Sequence, residues 1–441
     1  MQRQSAAIQA LPCYPEFSPM ALLSRSSAFS RVTALAELRP LHEAFRWLHL
    51  HAQQMLRWQT ELIAIPAPPF GEEQRSAWME EKFRDAGLER VQIDSIGNVF
   101  GELAFGELVQ SPDSPVILLS AHLDTVFPAG TTLEPILKDD RLEAPGACDN
   151  AAGVIGMLAI ARALVESRMP LGATLVFVGN VGEEGEGDLR GVREIYQRSQ
   201  YTGRIAAHIV LDGAGTETAV TQALGSRRYQ LTITGPGGHS FTDAGTANPI
   251  LVLALALAAL TEVSLNPDLD EPRTTMNVGT IEGGTSVNTI PESATAAVEF
   301  RSTDIRQLVR LEVALHRAVE DAVEASNAST KSREKPHNYL AFQIEKIGDR
   351  PAAALPGDSP LLETLRAVDR HLGLRTDLRL GSTDANIPLS LGIPAVSLGA
   401  GGEGGGAHTR GEWYSAKNRD LGLRRILLLT LAMLEWAGKQ P

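Results

Sequence analysis

Cysteine is nearly absent: Cys13 and Cys148 are the only two in 441 residues. That excludes a disulfide-stapled scaffold and a Cys-rich zinc module. Any metal must therefore take His and carboxylate ligands, a possibility that the ten histidines leave open. Long apolar runs are also missing. The runs at 250–260 and 426–434 fall well short of the roughly 20 residues that cross a bilayer, so both read as core-facing helices and no membrane partner is expected. Positive charge is in deficit, with 40 Lys and Arg against 53 Asp and Glu, a net charge of −13. An acidic surface repels phosphate backbones, so nucleic acid is not an expected partner. The N-terminus has no apolar core segment or cleavage site of a signal peptide, and a cytoplasmic location is expected. Residues 1–37, Ser- and Arg-rich at first, read as a disordered tail, with Met20 as an alternative start.

The whole chain has the composition of a soluble globular protein, with 43% hydrophobic and 21% charged residues. Its length allows two or three domains. Residues 38–65 carry a helical pattern that the Pro-rich segment 66–71 breaks. A continuously apolar strand at 116–120 and further buried strands at 173–178 and 205–211 then alternate with helices. Such runs suit strands buried on both faces. Residues 224–349 read differently, as β-α-β-β-α-β, the pattern of a small two-layer unit, before the first pattern resumes at 350–441. The expected fold is α/β. A three-layer catalytic domain with a mixed, mostly parallel sheet is formed by 38–223 and 350–441, with an inserted α+β, ferredoxin-like lid and dimerisation domain at 224–349.

Chemistry-bearing residues gather at predicted strand ends, where ligands bind in open α/β sheets. His122 and Asp124 follow the strand at 116–120 and would face one side. A carboxylate beside a metal-ligating His fixes its tautomer, so Asp124 can support His122. Asp149 precedes an apolar helix. Its ordinary reading is an N-cap, and its chemical reading is a carboxylate with two oxygens for two metals. Cys148 beside it reads as a small buried thiol. Glu183 and Glu184 are adjacent acids in a Gly-rich loop, which repel unless a cation or proton lies between them. Asp212 ends another strand, and His408 follows a glycine run that permits close backbone approach.

The ordered set HLDTVFP, GACDNAAG, GEEGEG, LDG, GPGGHS, SVNTIPESA and GGGAHT resembles the di-zinc peptidases and amidohydrolases. These include peptidase T, carboxypeptidase G, aminoacylase-1 and succinyl-diaminopimelate desuccinylase. The resemblance implies two divalent metal ions, Zn²⁺ with Mn²⁺ or Co²⁺ as alternatives. His122 and Asp212 would hold one, Glu184 and His408 the other, and Asp149 would bridge them. Glu183 would be the general base for hydrolysis of an amide bond, with Asp124 behind His122. His239 would stabilise the oxyanion, within a subunit or across a homodimer formed by the inserted domain. Asn288 and Arg301 would hold the substrate carbonyl and carboxylate. A guanidinium fork suits the latter task. The flank of the bridging Asp departs from the family's frequent DDKGG, and the GNVGEEGEGDLRG stretch resembles peptidase-T-like members more than the deacetylases. A small-peptide peptidase is thus expected, with an N-acyl amino acid deacylase or carboxypeptidase as the alternative. A degenerate binding paralogue would have lost ligands, and all five positions are filled.

Overall fold

The computed structural model describes residues 27–104, 114–264, 272–329 and 339–439; residues 1–26, with Met20 and Cys13, lie outside the described set. A nine-stranded mixed sheet forms the centre. Its middle is parallel, in the order Thr174–Asn180, Val116–His122, Ile205–Leu211 and Ala395–Leu398. Antiparallel strands flank it. Val99–Leu103 and Glu89–Ile93 extend one side, and Thr218–Ala223 pairs antiparallel with Ala395–Leu398 on the other. Strand Thr218–Ala223 also pairs with Asp377–Gly381 in parallel and with Ala353–Ala354 in antiparallel.

Both faces are covered, and the alternation of the strands shows how. Ile117, Leu119, Leu175 and Phe177 point into one core, which is built with helices Arg39–Leu50, Ala151–Ser167 and Arg419–Ala437. Leu118, Val176 and Val178 point to the other face, against Val192 and Ile195 of helix Arg190–Arg198. Period-2 alternation with apolar residues at every position produces the continuous hydrophobic runs seen in the sequence. A buried bidentate pair, Arg425 Nε to Asp369 Oδ1 at 2.6 Å and Nη2 to Oδ2 at 2.9 Å, ties helix Arg419–Ala437 to helix Pro360–Leu372.

Residues 225–350 build a second sheet, four antiparallel strands in the order Thr274–Gly283, Ser293–Ser302, Gly225–Thr234 and Ala341–Arg350. Helices Pro249–Ser264 and Ile305–Ser329 pack on one face, over Tyr229, Leu231, Ile233, Val298 and Phe300. The opposite face carries the alternate, polar positions.

Several features differ from the sequence-based expectations. Residues 28–36 of the expected tail form a helix, capped by the Ser27 side chain, that buries Val32 and Leu35, an i,i+3 pair on one face. The helical pattern at 38–65 is two helices, Arg39–Leu50 and Ala52–Ile63, with His51 between them. Strand Thr218–Ala223 was not anticipated, because its short alternating pattern lacks a continuous apolar run. A further small sheet, Glu403–Gly405, Trp413–Ser415, Arg141–Glu143 and Ile136–Lys138, joins segments too short to show a period. Among the described residues, no helix is long and apolar enough to cross a membrane.

Candidate metal centre and active site

The acid- and His-bearing loops converge at the C-terminal ends of the parallel strands. Strand Val116–His122 ends on His122, which is buried. Its Nε2 lies 3.1 Å from Asp149 Oδ1 and 3.8 Å from Asp212 Oδ1. The other ring nitrogen, Nδ1, lies 3.6 Å from Asp124 Oδ1 and 3.1 Å from the Asp124 carbonyl oxygen. On the far side of Asp149, His408 Nε2 sits 3.0 Å from Oδ2, and it also lies 3.1 Å from Glu184 Oε1. Asp149 therefore has one oxygen facing each histidine.

Two groups of three ligand atoms are each close enough to hold an ion: His122, Asp149 and Asp212, and Asp149, Glu184 and His408. A third combination, His122 with Glu183 and Glu184, overlaps both. Asp149 Oδ1 is buried and, beyond the His122 Nε2 approach at 3.1 Å, has no hydrogen-bond partner, so a lone pair is available to a cation. Imidazole and carboxylate donors fit a divalent ion of the zinc kind.

Electrostatics describes the same cluster. Burial raises the Glu184 pKa to about 7, helped by the Asp149 charge. Burial pushes Glu183 well above the carboxylate range, against the pull of Arg350. The Asp149 carboxylate raises His408 to about 9, more than offsetting partial burial. Burial disfavours a charged His122, yet Asp124, Asp149 and Asp212 outweigh it and hold the ring well above its ordinary value. This many carboxylates in one buried place bind protons or cations strongly.

Local structure explains the placement. The N-cap of helix Ala151–Ser167 is Asn150, whose Oδ1 accepts from Gly153 N at 3.1 Å, so the capping expected of Asp149 falls to its neighbour. Asn150 also accepts from Gly213 N and donates to the Leu211 carbonyl, which fixes the helix start beside Asp212. Asp124 does more than face His122. Its two oxygens accept from the backbone N–H groups of Glu183 at 3.0 Å and Glu184 at 2.7 Å, which orders the two-glutamate turn. The glycine run before His408 also serves packing: a Cβ on Gly404 would lie 2.4 Å from Cys148 Sγ. Gly404 thereby lets that strand pack against the loop bearing Asp149. Cys148 is the buried thiol expected, and burial raises its pKa to about 12.

A cavity of about 380 Å³ opens over the cluster, lined by Asp149, Glu183, Glu184, Asp212 and His408 below and by Arg228, Arg301 and Arg350 from the second sheet. Arg301 thus reaches the site. His239 and Asn288 do not line this cavity. They are exposed neighbours on the second unit, where strand Gly238–His239 pairs with Thr289–Ile290.

Three buried side chains beside the cluster escaped the sequence reading. Arg350 donates from Nη1 to Glu183 Oε1 at 3.0 Å and from Nη2 to the Glu183 carbonyl. Glu412, fully buried, accepts from the N–H groups of Gly146 at 2.9 Å and of Cys148 and Asp149 at 2.7 Å each. Asp384, also buried, accepts from Asn180 Nδ2 at 2.7 Å, and burial raises its pKa to about 6. Asp384 follows strand Asp377–Gly381, so the strand-end rule used for the other acids points to it too. No comparable signal marks Arg350 or Glu412.

The model for peptidase family M20/M25/M40 matches residues 118–431, which include every residue of the cluster. The chain belongs to this family. The family is one of peptidases, so the chain is a hydrolase of that family. Among curated proteins, the uncharacterized protein YqjE of Bacillus subtilis is 24% identical over 400 residues, covering 88% of this chain and all of YqjE. Among solved structures, a tripeptidase from Staphylococcus aureus superposes with a TM-score of 0.68 at 23% identity, covering 87% of this chain and 99% of that one. YXEP of B. subtilis, described as a dinuclear metal binding peptidase, superposes with a TM-score of 0.62 at 16% identity, covering 88% and 99%. Those two likenesses show the α/β fold with its mixed sheet.

Proposed function

We propose that this chain is a binuclear metal-dependent amidohydrolase acting on small peptides. The observation that carries the reading is Asp149, with Oδ1 at 3.1 Å from His122 and Oδ2 at 3.0 Å from His408. His122 and Asp212 would hold one divalent ion, Glu184 and His408 the other, and Asp149 both. Zn²⁺ fits these donors, with Mn²⁺ and Co²⁺ as alternatives. When bound, the ions supply Lewis acidity, which polarises a carbonyl and acidifies water.

The chain's own residues supply the rest. Glu183 takes a proton from the attacking water and returns it to the leaving nitrogen. Arg350 occupies one carboxylate oxygen of Glu183, which leaves the other to take the proton. Asp124 holds His122 in place and, through two backbone N–H groups, holds the turn that carries Glu183. Arg301 is the anchor for a substrate carboxylate. The unit at 224–349, ferredoxin-like in its strand order, acts as a lid whose seating excludes water. It also carries the homodimer contact. Leu251 and Leu255 are 62% and 65% exposed on its helix, and strand Thr274–Gly283 lies at a sheet edge that is unpaired among the described residues. His239 and Asn288 would then serve the partner's site, with His239 stabilising the oxyanion. A cytoplasmic location accompanies this reading.

The direct test is Glu183→Ala. Metal content should be unchanged while turnover of a dipeptide or tripeptide falls by about 10²–10⁴-fold. Full activity in that variant would remove Glu183 from the mechanism. Faster turnover of N-acetyl amino acids than of peptides would favour the deacylase alternative.

A further inference from the structure

The second sheet has two unlike faces. Tyr229, Leu231, Ile233, Val298 and Phe300 point toward its helices. The alternate positions at the end nearest the catalytic sheet are Arg228, Glu299, Arg301 and Arg350. Register places Arg301, Ser226 and Arg350 in one cross-strand row, with Glu299 and Arg228 paired in the next. This helix-free face meets the loop that carries both glutamates, and its arginines divide into two groups.

Arg228 and Arg301 share Glu299. Arg228 Nε donates to Oε1 at 2.9 Å and Arg301 Nε to Oε2 at 2.8 Å, and Arg228 Nη1 also donates to the Gly185 carbonyl at 3.0 Å. Arg350 stands apart. Its side chain is only 7% exposed, as is that of Glu183. It grips Glu183 twice, at Oε1 and at the backbone carbonyl, and is itself steadied by Ser382 Oγ at 3.2 Å. Two of its three donor contacts go to Glu183, one to the carboxylate and one to the backbone. That geometry fixes where the carboxylate points, because the two contacts restrict the side chain relative to its own main chain.

We propose that Arg350 is the positioning residue of Glu183, holding the base carboxylate from the last strand of the inserted unit. Arg350 acts through Glu183 and does not itself anchor substrate; Arg301 has that task. The side chain comes from the residue at which the chain leaves the second sheet, so the seating of that unit and the orientation of the base are mechanically linked. Two charge-assisted contacts in a buried place restrict the carboxylate to one orientation, and a misplaced base loses rate without losing affinity.

This inference rests on Glu183 being the base, so the experiment carries Glu183→Gln in parallel. Arg350→Gln, Arg350→Lys and Glu183→Gln are purified in metal-loaded form. For each, kcat, KM and metal content are measured on a tripeptide that the wild type cleaves. The expected result for Arg350→Gln is a kcat lower by about 10- to 100-fold, with KM and metal content unchanged, since orientation is a part of what a general base supplies. Arg350→Lys, which retains a charge and one donor group, should recover part of that loss, and it keeps the test decisive if the Gln variant does not fold. The proposal is overturned if Arg350→Gln keeps its kcat, if its KM rises while kcat holds, or if it loses metal. It is overturned too if Arg350→Lys is no better than Gln. Glu183→Gln inactive with Arg350→Gln fully active refutes the positioning role alone. Glu183→Gln at wild-type activity refutes the base assignment itself, and the positioning role falls with it.

Discussion

Glu412 offers a test of how the Asp149 loop is held. Its carboxylate is fully buried and accepts three backbone N–H groups, from Gly146, Cys148 and Asp149, at 2.7–2.9 Å. Bonds to a charged acceptor are worth about 1.5–3 kcal/mol each, and a buried donor left unpaired costs about 1–3 kcal/mol. In Glu412→Gln one oxygen can still receive Cys148 and Asp149, though as neutral bonds. The new amide nitrogen would then face Gly146 N, donor against donor. Part of the loss is offset, because burial disfavours the native charge, as the raised Glu412 pKa shows. The net expectation is a destabilisation of about 2–3 kcal/mol. Glu412→Ala orphans all three donors and should cost about 5 kcal/mol, a large fraction of the stability of a typical protein. Because one of the three donors belongs to Asp149 itself, the Gln variant should also bind its metals about 10- to 100-fold more weakly. Urea unfolding of metal-stripped protein gives the first quantity, and chelator competition on loaded protein gives the second. A Gln variant within 0.5 kcal/mol of wild type and with unchanged metal affinity would refute the reasoning, since the three contacts would then be carrying nothing.

Two other outcomes follow from the structure. His208 is buried, with its ring nitrogens against Tyr196 OH at 3.0 Å and Ser120 Oγ at 2.7 Å, and burial lowers its pKa to about 3. The unfolded chain takes up this proton near pH 6.5 and the folded chain does not. Stability associated with His208 is therefore complete above about pH 6.5 and is lost as pH falls toward 3, by about 2 kcal/mol at pH 5. Urea unfolding free energies should fall by about 2 kcal/mol more for wild type than for His208→Gln between pH 7.5 and 5, and equal falls would contradict the buried neutral ring. For the dimer, Leu251→Glu with Leu255→Glu places charge on the exposed helix face. Sedimentation should then show a monomer where the wild type is dimeric, whereas a wild type already monomeric would remove the interface.

The parts of the fold and site that were readable in the sequence share one cause. Strands buried on both faces appear as unbroken apolar runs, and the ends of such runs are places where polar residues stand out. His122, Glu183, Glu184 and Asp212 were found in that way, and the structure brings them together around Asp149 and His408. What the sequence hid depends on distance along the chain. Glu183 and Arg350 are 167 positions apart, and Asp149 and Glu412 are 263 apart. No local pattern marks a residue whose meaning comes from a partner that topology delivers. Asn150 shows a different limit: two adjacent residues could both cap the helix, and the one released from capping is the one with both oxygens turned to the histidines. His239 and Asn288 were legible as motif residues, but their exposed position on the second unit follows from how that unit folds.

The central claim is that these residues form a binuclear centre that hydrolyses amide bonds. The most direct measurement is amino acid release from dipeptides, tripeptides and N-acetyl amino acids by protein loaded with Zn²⁺, Mn²⁺ or Co²⁺, with metal content determined on the same sample. Two ions per chain and hydrolysis of at least one free-carboxylate substrate are expected. Two ions bound with no amide cleaved under any of the three metals would contradict the claim.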